Sequence, residues 1–238
     1  MAGTSGRKDG RRPKARSGGS GGSGGSGAPL RRAPGRPAGV SGDQTRRRLV
    51  EEAIETFAEL GFAGASVRDI ARRARIRVSS LYHYFPSKEA LYQAVQVQMQ
   101  EELRALTMTV VSQGRELREM AREAVGRVFD FYLSRPAYVR LGYRFHLEGR
   151  AGDGSHRRVV DRWVGVMEGL LKPAEGQGKA KPVDPTLFLV TVDGLVHWHL
   201  ASRSFHRDIL GHELDDPETA GRVREHLIQT VLRIMGLD

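Results

Sequence analysis

The stretch from Ser66 to Lys88, S-V-R-D-I-A-R-R-A-R-I-R-V-S-S-L-Y-H-Y-F-P-S-K, constrains the fold more than any other part of the chain. Ser66 is a good helix N-cap and Asp69, three residues on, completes a capping box, so a helix starts at Val67. Val67, Ile70, Ala71 and Ala74 recur at helical steps and turn one face inward, leaving Arg68, Arg72 and Arg73 toward solvent or phosphate. A turn follows at Arg75 and Ile76. From Val78 to Phe85 a second helix buries Leu81 and Phe85 and exposes Ser79, Ser80, Tyr82 and His83, with Tyr84 beside them. Those side chains can hydrogen-bond to base edges or phosphates, so the pair reads as a DNA-reading element.

Charge supports a polyanion partner at one place. The chain has 38 Lys/Arg and 28 Asp/Glu in 238 residues; 12 of the basic residues and 2 of the acids fall in the first 50, leaving 26 of each in the rest. Within that neutral remainder, residues 66–88 carry six basic side chains and one acid. A small positive patch on a neutral body suits docking to a polyanion. There are no cysteines, which removes disulfides and thiolate metal sites and fits a reducing compartment. No apolar run approaches the roughly 18 residues of a membrane span, and Gly and Ser rather than an apolar segment follow the basic N-terminus. A cytoplasmic, nucleoid-associated protein is expected.

Residues 1–42 read as a disordered basic tail rich in Gly, Ser and Pro. Its Gly18 to Gly27 repeat resembles an engineered spacer. Arg31 to Pro37 contains a Gly-Arg-Pro core of the AT-hook kind, open to minor-groove reading, non-specific contact or no role. Leu49, Ala53, Ile54, Phe57 and Leu60 mark a first helix with Gly61 as its stop. After Pro86, Ser87 opens a long helix with the stripe Leu91, Val95, Met99, Leu103, Leu106 and Val110, a rigid bridge out of the head. Glu116 to Leu133 repeats the pattern through Met120, Ala124, Val128, Phe131 and Tyr132; Pro136 to Leu147 and Val159 to Leu171 are two more helices around a loop from Gly149 to Ser155. Lys172 to Asp184 reads as a mobile loop or lid. Pro185 to Phe205 is apolar on more than one face and must be buried on several sides; a last helix runs from Glu218 to Met235. The expected fold is all-α with about nine helices: a three-helix helix-turn-helix head over residues 43–90 and a helical regulatory body over 91–238.

Between Thr45 and Leu91 the segments T-R-R-R-L-V-E-E-A, F-A-E-L-G-F-A-G-A-S-V-R-D-I-A and S-L-Y-H-Y-F-P-S-K-E-A-L closely resemble the TetR family of bacterial transcriptional repressors. The resemblance implies a homodimer that binds palindromic double-stranded DNA and is released by a small hydrophobic effector. A constitutive DNA-binding dimer without an effector is the alternative. Carried over by position, Ser66 and Arg68 approach phosphates and, at the arginine, a base. Val78, Ser79 and Ser80 fall at the base-reading start of the recognition helix, Tyr82, His83 and Tyr84 hold phosphate oxygens, and Lys88 grips the backbone. Two positions depart from the pattern: Arg75 stands where the turn usually has Gly, and Arg77 where the recognition helix usually has a Ser cap. Both add positive charge toward DNA, trading turn stability for phosphate affinity.

For the body, Leu103, Phe131, Tyr138, Phe145, Trp163 and Trp198 offer apolar surface for an effector pocket. The last two long helices are expected to form a dimerisation hairpin through Leu195, Trp198, Leu227 and Val231, the alternative being that they pack on the intramolecular core. His197 follows Asp193 by four residues and His199, His206 and His212 lie nearby, but His197 and His199 diverge on a helix and no H-E-x-x-H pattern is present. Core or interface histidines are therefore expected rather than a metal site. No G-x-S-x-G or phosphate-binding Gly loop appears, so neither catalysis nor a cofactor is expected.

Overall fold

The caps and breakers of the sequence organise the head. In the computed structural model, which describes residues 42–147 and 155–237, α1 (Gly42–Gly64) buries Leu49, Val50, Ala53, Ile54 and Phe57 and is interrupted at Gly61, whose φ of 69° lies in the left-handed region. The interruption turns Phe62 back onto the core, where it stacks on Phe57. α2 (Val67–Arg73) is capped by Ser66 Oγ, which accepts from Arg68 N at 3.2 Å. Asp69, expected to complete the capping box, instead pairs with Arg72 at 2.7 Å. α3 (Val78–Tyr84) buries Leu81, with Phe85 buried at its C-cap.

α4 (Lys88–Val111) starts at Ser87, whose hydroxyl accepts from Ala90 N at 3.1 Å. α5 (Leu117–Leu133) buries Val125 and Phe129 in place of the expected Ala124 and Val128, which are half-buried. Phe131 and Tyr132 are buried as expected, while at the two preceding turns the larger side chain takes the core. α6 (Pro136–Leu147) has the expected bounds. α7 (Ser155–Gly176) continues five residues beyond the expected end, because buried Leu171 and Ala174 carry its stripe past Pro173. The segment after it is tied down: Lys179 N donates to Ala174 O at 2.8 Å and Lys181 N to Met235 O at 2.8 Å. Val183 N donates to Glu175 Oε1 at 3.1 Å, so no long mobile loop remains there.

α8 (Pro185–Ala201) ends earlier than expected at Ser202, whose ψ of 42° is not helical, and a separate α9 (Arg203–Leu210) follows. With α10 (Pro217–Met235) the described residues hold ten helices and no strand, where about nine were expected. α8 is not buried on several sides: Phe188, Val196, His197 and Leu200 face inward, while Leu187, Val190 and Trp198 are 66%, 64% and 54% exposed. The basic tail, its AT-hook-like core and the loop from Gly149 onward lie outside the described residues, apart from Gly42 and Ser155, which open α1 and α7.

The described residues form one unit. The head is joined to the body through α4 and α6, both of which pack on α1. At the junction the Tyr92 ring meets Phe57 (4.9 Å between centroids), Phe62 (5.0 Å) and Phe145 (5.0 Å).

Candidate nucleic-acid interface

The exposed surface of the head gathers most of the expected contacts. Leu81 and Phe85 lock α3 to the core, which fixes Ser79, Ser80, Tyr82 and His83 outward; all four are exposed. Arg68 and Arg77 are exposed beside them, and Ser66 is half-buried because its hydroxyl caps α2. Val78 and Tyr84 are half-buried against the core, so they present edges rather than whole side chains. The His83 and Tyr84 rings meet edge to face at 5.7 Å. Lys88 Nζ lies 4.5 Å from the Phe62 ring centroid, a cation–π placement that holds it against the head.

Electrostatic pairing sharpens the patch. Arg72 is taken by Asp69, and Arg73 by Glu59 at 3.1 Å. Among the described residues Arg68, Arg75 and Arg77 have no carboxylate within 4.0 Å, so the uncompensated charge concentrates at the start of α2 and in the turn before α3. Arg75 adopts a φ of 54°, the one left-handed non-glycine residue among those described. Arg77 stands at the N-cap of α3 with no side-chain cap bond. The turn is secured instead by Arg75 N on Arg72 O (3.0 Å) and Ile76 N on Ala71 O (3.0 Å). Arg48 also serves it, donating to Ala74 O at 2.9 Å and satisfying a carbonyl at the end of α2. Sequence reading missed Arg48 because its partner is 26 residues away.

In the body the expected pocket is not gathered. Phe131 and Tyr138 are buried against each other, and Tyr138 Oη donates to Glu102 at 3.0 Å. Phe145 belongs to the head junction, Leu103 and Trp163 are half-buried, and Trp198 faces outward. A cleft of about 720 Å³ does exist, but between α8, α9 and α10, lined by His199, Phe205, Ile209, Arg222, His226 and Arg233 among others. None of the six pocket candidates lines it. Of the dimer candidates, Leu227 and Val231 are only 1% and 2% exposed within the protomer, so they have no surface to offer a partner; Leu195 is half-buried and Trp198 exposed.

His197 and His206 are buried, and His199 contacts His206. His197 is buried; its Nδ1 lies 3.0 Å from Asp193 O and 3.1 Å from Asp193 Oδ1, while Nε2 has no partner and faces Gly142. Burial opposes the charged imidazolium, but the Asp193 carboxylate outweighs it and raises the pKa. His206 Nδ1 lies 2.8 Å from Ser202 O, and its Nε2 lies 2.8 Å from His199 Nδ1. Burial first, then the nearby His206 and His226, lower the His199 pKa. Among the described residues no three His, Asp or Glu side chains are placed to hold a metal ion.

Residues 49–95 match the family described as bacterial regulatory proteins, tetR family. Over this head the chain is similar to the TetR family. The A-factor receptor protein of Streptomyces griseus is 30% identical over 143 residues, which is 60% of this chain and 49% of that protein. The HTH-type transcriptional repressor NicS of Pseudomonas putida is 25% identical over 141 residues, 58% of this chain and 65% of that one. The match thus spans about half the length of the first relative and under two thirds of the second. AibR, solved in complex with isovaleryl coenzyme A and operator DNA, shares the fold with a TM-score of 0.63 at 19% identity, covering 78% of this chain and 97% of AibR. The TetR-like head and the helical layout behind it are therefore shared with these proteins.

Proposed function

We propose that the chain is a sequence-specific transcriptional repressor that binds a palindromic operator as a homodimer and is released by a small hydrophobic effector. One observation carries this reading: α3 is locked to the core by Leu81 and Phe85 while Ser79, Ser80 and His83 point outward, flanked by three arginines without carboxylate partners among the described residues. Short polar groups at the start of a recognition helix read bases, and the long cationic ones around them position the helix on phosphates. Operator binding places the protein with the nucleoid. AibR binds operator DNA and an acyl coenzyme A, which supports effector control here.

The dimer forms through the outward face of α8. Leu187, Val190 and Trp198 recur at three- and eight-residue steps and leave an apolar stripe in water that an isologous copy would cover. Trp198→Asp converts the dimer to monomer in sedimentation velocity; an unchanged dimer places the interface elsewhere. An effector that displaces α6 relative to α4 reaches the head through the Phe145–Tyr92 contact and tilts the two recognition helices out of register, provided it prefers the released state.

Operator binding separates the roles. Arg77→Ala lowers affinity for operator and random DNA alike and reduces the salt slope by about 1. Ser79→Ala and Ser80→Ala lower operator affinity more than random-DNA affinity. Equal losses on both kinds of DNA would remove α3 as the reading element.

A further inference from the structure

We propose that the cleft between α9 and α10 binds an amphipathic organic anion, an alkyl or aryl carboxylate. Its volume of about 720 Å³ falls in the range of small-molecule sites, roughly 300 to 1,000 Å³. One wall is apolar: Phe205, Ile209 and Leu210 from α9 with Val223 from α10. Phe205 and Ile209 are exposed, so this wall is unfilled in the protomer.

The opposite side is cationic. Arg222, His226, Gln229 and Arg233 recur at steps of four, three and four and so share one face of α10. Among the described residues neither Arg222 nor Arg233 has a carboxylate within 4.0 Å, although most arginines of the body are paired. The one acid lining the cleft, Glu225, is already held by Arg122 at 3.0 Å and by Gln229 at 2.7 Å. A ligand with an apolar body and one negative end satisfies both sides, and a neutral or cationic ligand leaves the arginines unanswered.

The two arginines are eleven residues apart, about 16 Å along a helix, so one carboxylate meets one end of the strip. The histidines complete the polar side without forming a metal centre: the His206 contacts to Ser202 O and His199 Nδ1 fix both rings, and the His199 and His226 rings lie 6.1 Å apart. The site lies outside the six-residue pocket expected from the sequence and is independent of whether the head binds DNA.

The test is calorimetric titration of the full chain with dodecanoate, dodecanol and dodecyltrimethylammonium, each below its micellar concentration. Dodecanoate is expected to bind at least tenfold tighter than the other two. The exposed double variant Arg222→Gln/Arg233→Gln should lose at least tenfold for dodecanoate and little for dodecanol, and Ile209→Ser should weaken both. Equal binding of acid and alcohol, or wild-type binding by the double variant, overturns the proposal. Sedimentation velocity on Phe205→Ser/Ile209→Ser separates the other occupant: a shift from dimer to monomer, with no dodecanoate binding by the wild type, makes the cleft an interface between copies and also overturns it.

Discussion

Replacing Arg75 with Gly separates folding from DNA affinity at a single residue. A non-glycine residue in the left-handed region costs roughly 1 to 2 kcal/mol. Glycine returns part of this, about 0.4 to 1 kcal/mol, through its greater freedom in the unfolded chain. The Arg75 side chain is exposed and makes no hydrogen bond or ion pair among the described residues, so its removal loses neither there. The net expectation is a gain of about 0.5 to 1 kcal/mol. For a unit of this size, where 1 kcal/mol moves the melting temperature by roughly 2 to 4 °C, Arg75→Gly melts about 1 to 4 °C higher. On DNA the sign reverses. Loss of one phosphate contact lowers the salt slope by about 0.9 and costs most affinity at low salt. Thermal unfolding and fluorescence anisotropy with an operator fragment, from about 50 to 200 mM salt, measure both effects; over that range the lost contact changes the affinity ratio of the two proteins about threefold. A melting temperature that is unchanged or lower refutes the strain, and an unchanged salt slope refutes the trade of stability for affinity.

Two further outcomes test the body. A Cβ on Gly142 would stand 2.5 Å from His197 Nε2 and 3.0 Å from its Cδ2, so Gly142→Ala destabilises by about 1 to 3 kcal/mol in urea unfolding and Gly142→Ala/His197→Ala recovers part of it; additive losses contradict that contact. The histidines give opposite pH signatures. The raised pKa of His197 contributes stability that is full below the unfolded histidine pKa and is lost as pH rises through the folded value, whereas the lowered pKa of His199 contributes stability present above the unfolded value and lost as pH falls. Urea unfolding of His197→Asn and His199→Asn near pH 5.5 and pH 8 should therefore show the cost of the first growing with acid and that of the second shrinking; parallel trends would contradict the two placements.

The head was legible in the sequence because its signals are local. Ser66 and Ser87 cap helices, Gly61 breaks one, and Arg75 takes the strained turn, each decided within a few residues of chain. The body was less legible because its boundaries depend on packing. Pro173 reads as a helix stop, yet Leu171 and Ala174 find a core and the helix continues. Apolar residues surround α8 on every side, so its sequence does not say which face turns inward, and Trp198 could not be told from core. In α10 the stripe through Leu227 and Val231 marks a buried face, but periodicity does not say whether the covering surface belongs to the same chain. The cleft between α9 and α10 depends on the break at Ser202, which no breaker residue announces.

Selection of binding sites from a random DNA library by the purified full chain tests the repressor reading most directly. A recognition-helix dimer enriches a palindrome whose half-sites lie about one helical turn or more apart, roughly 34 to 36 Å or beyond. The enrichment should collapse when Ser79 and Ser80 are replaced together by Ala. No enriched sequence, or an enriched sequence that survives the double replacement, would contradict the assignment of α3 as the element that reads DNA.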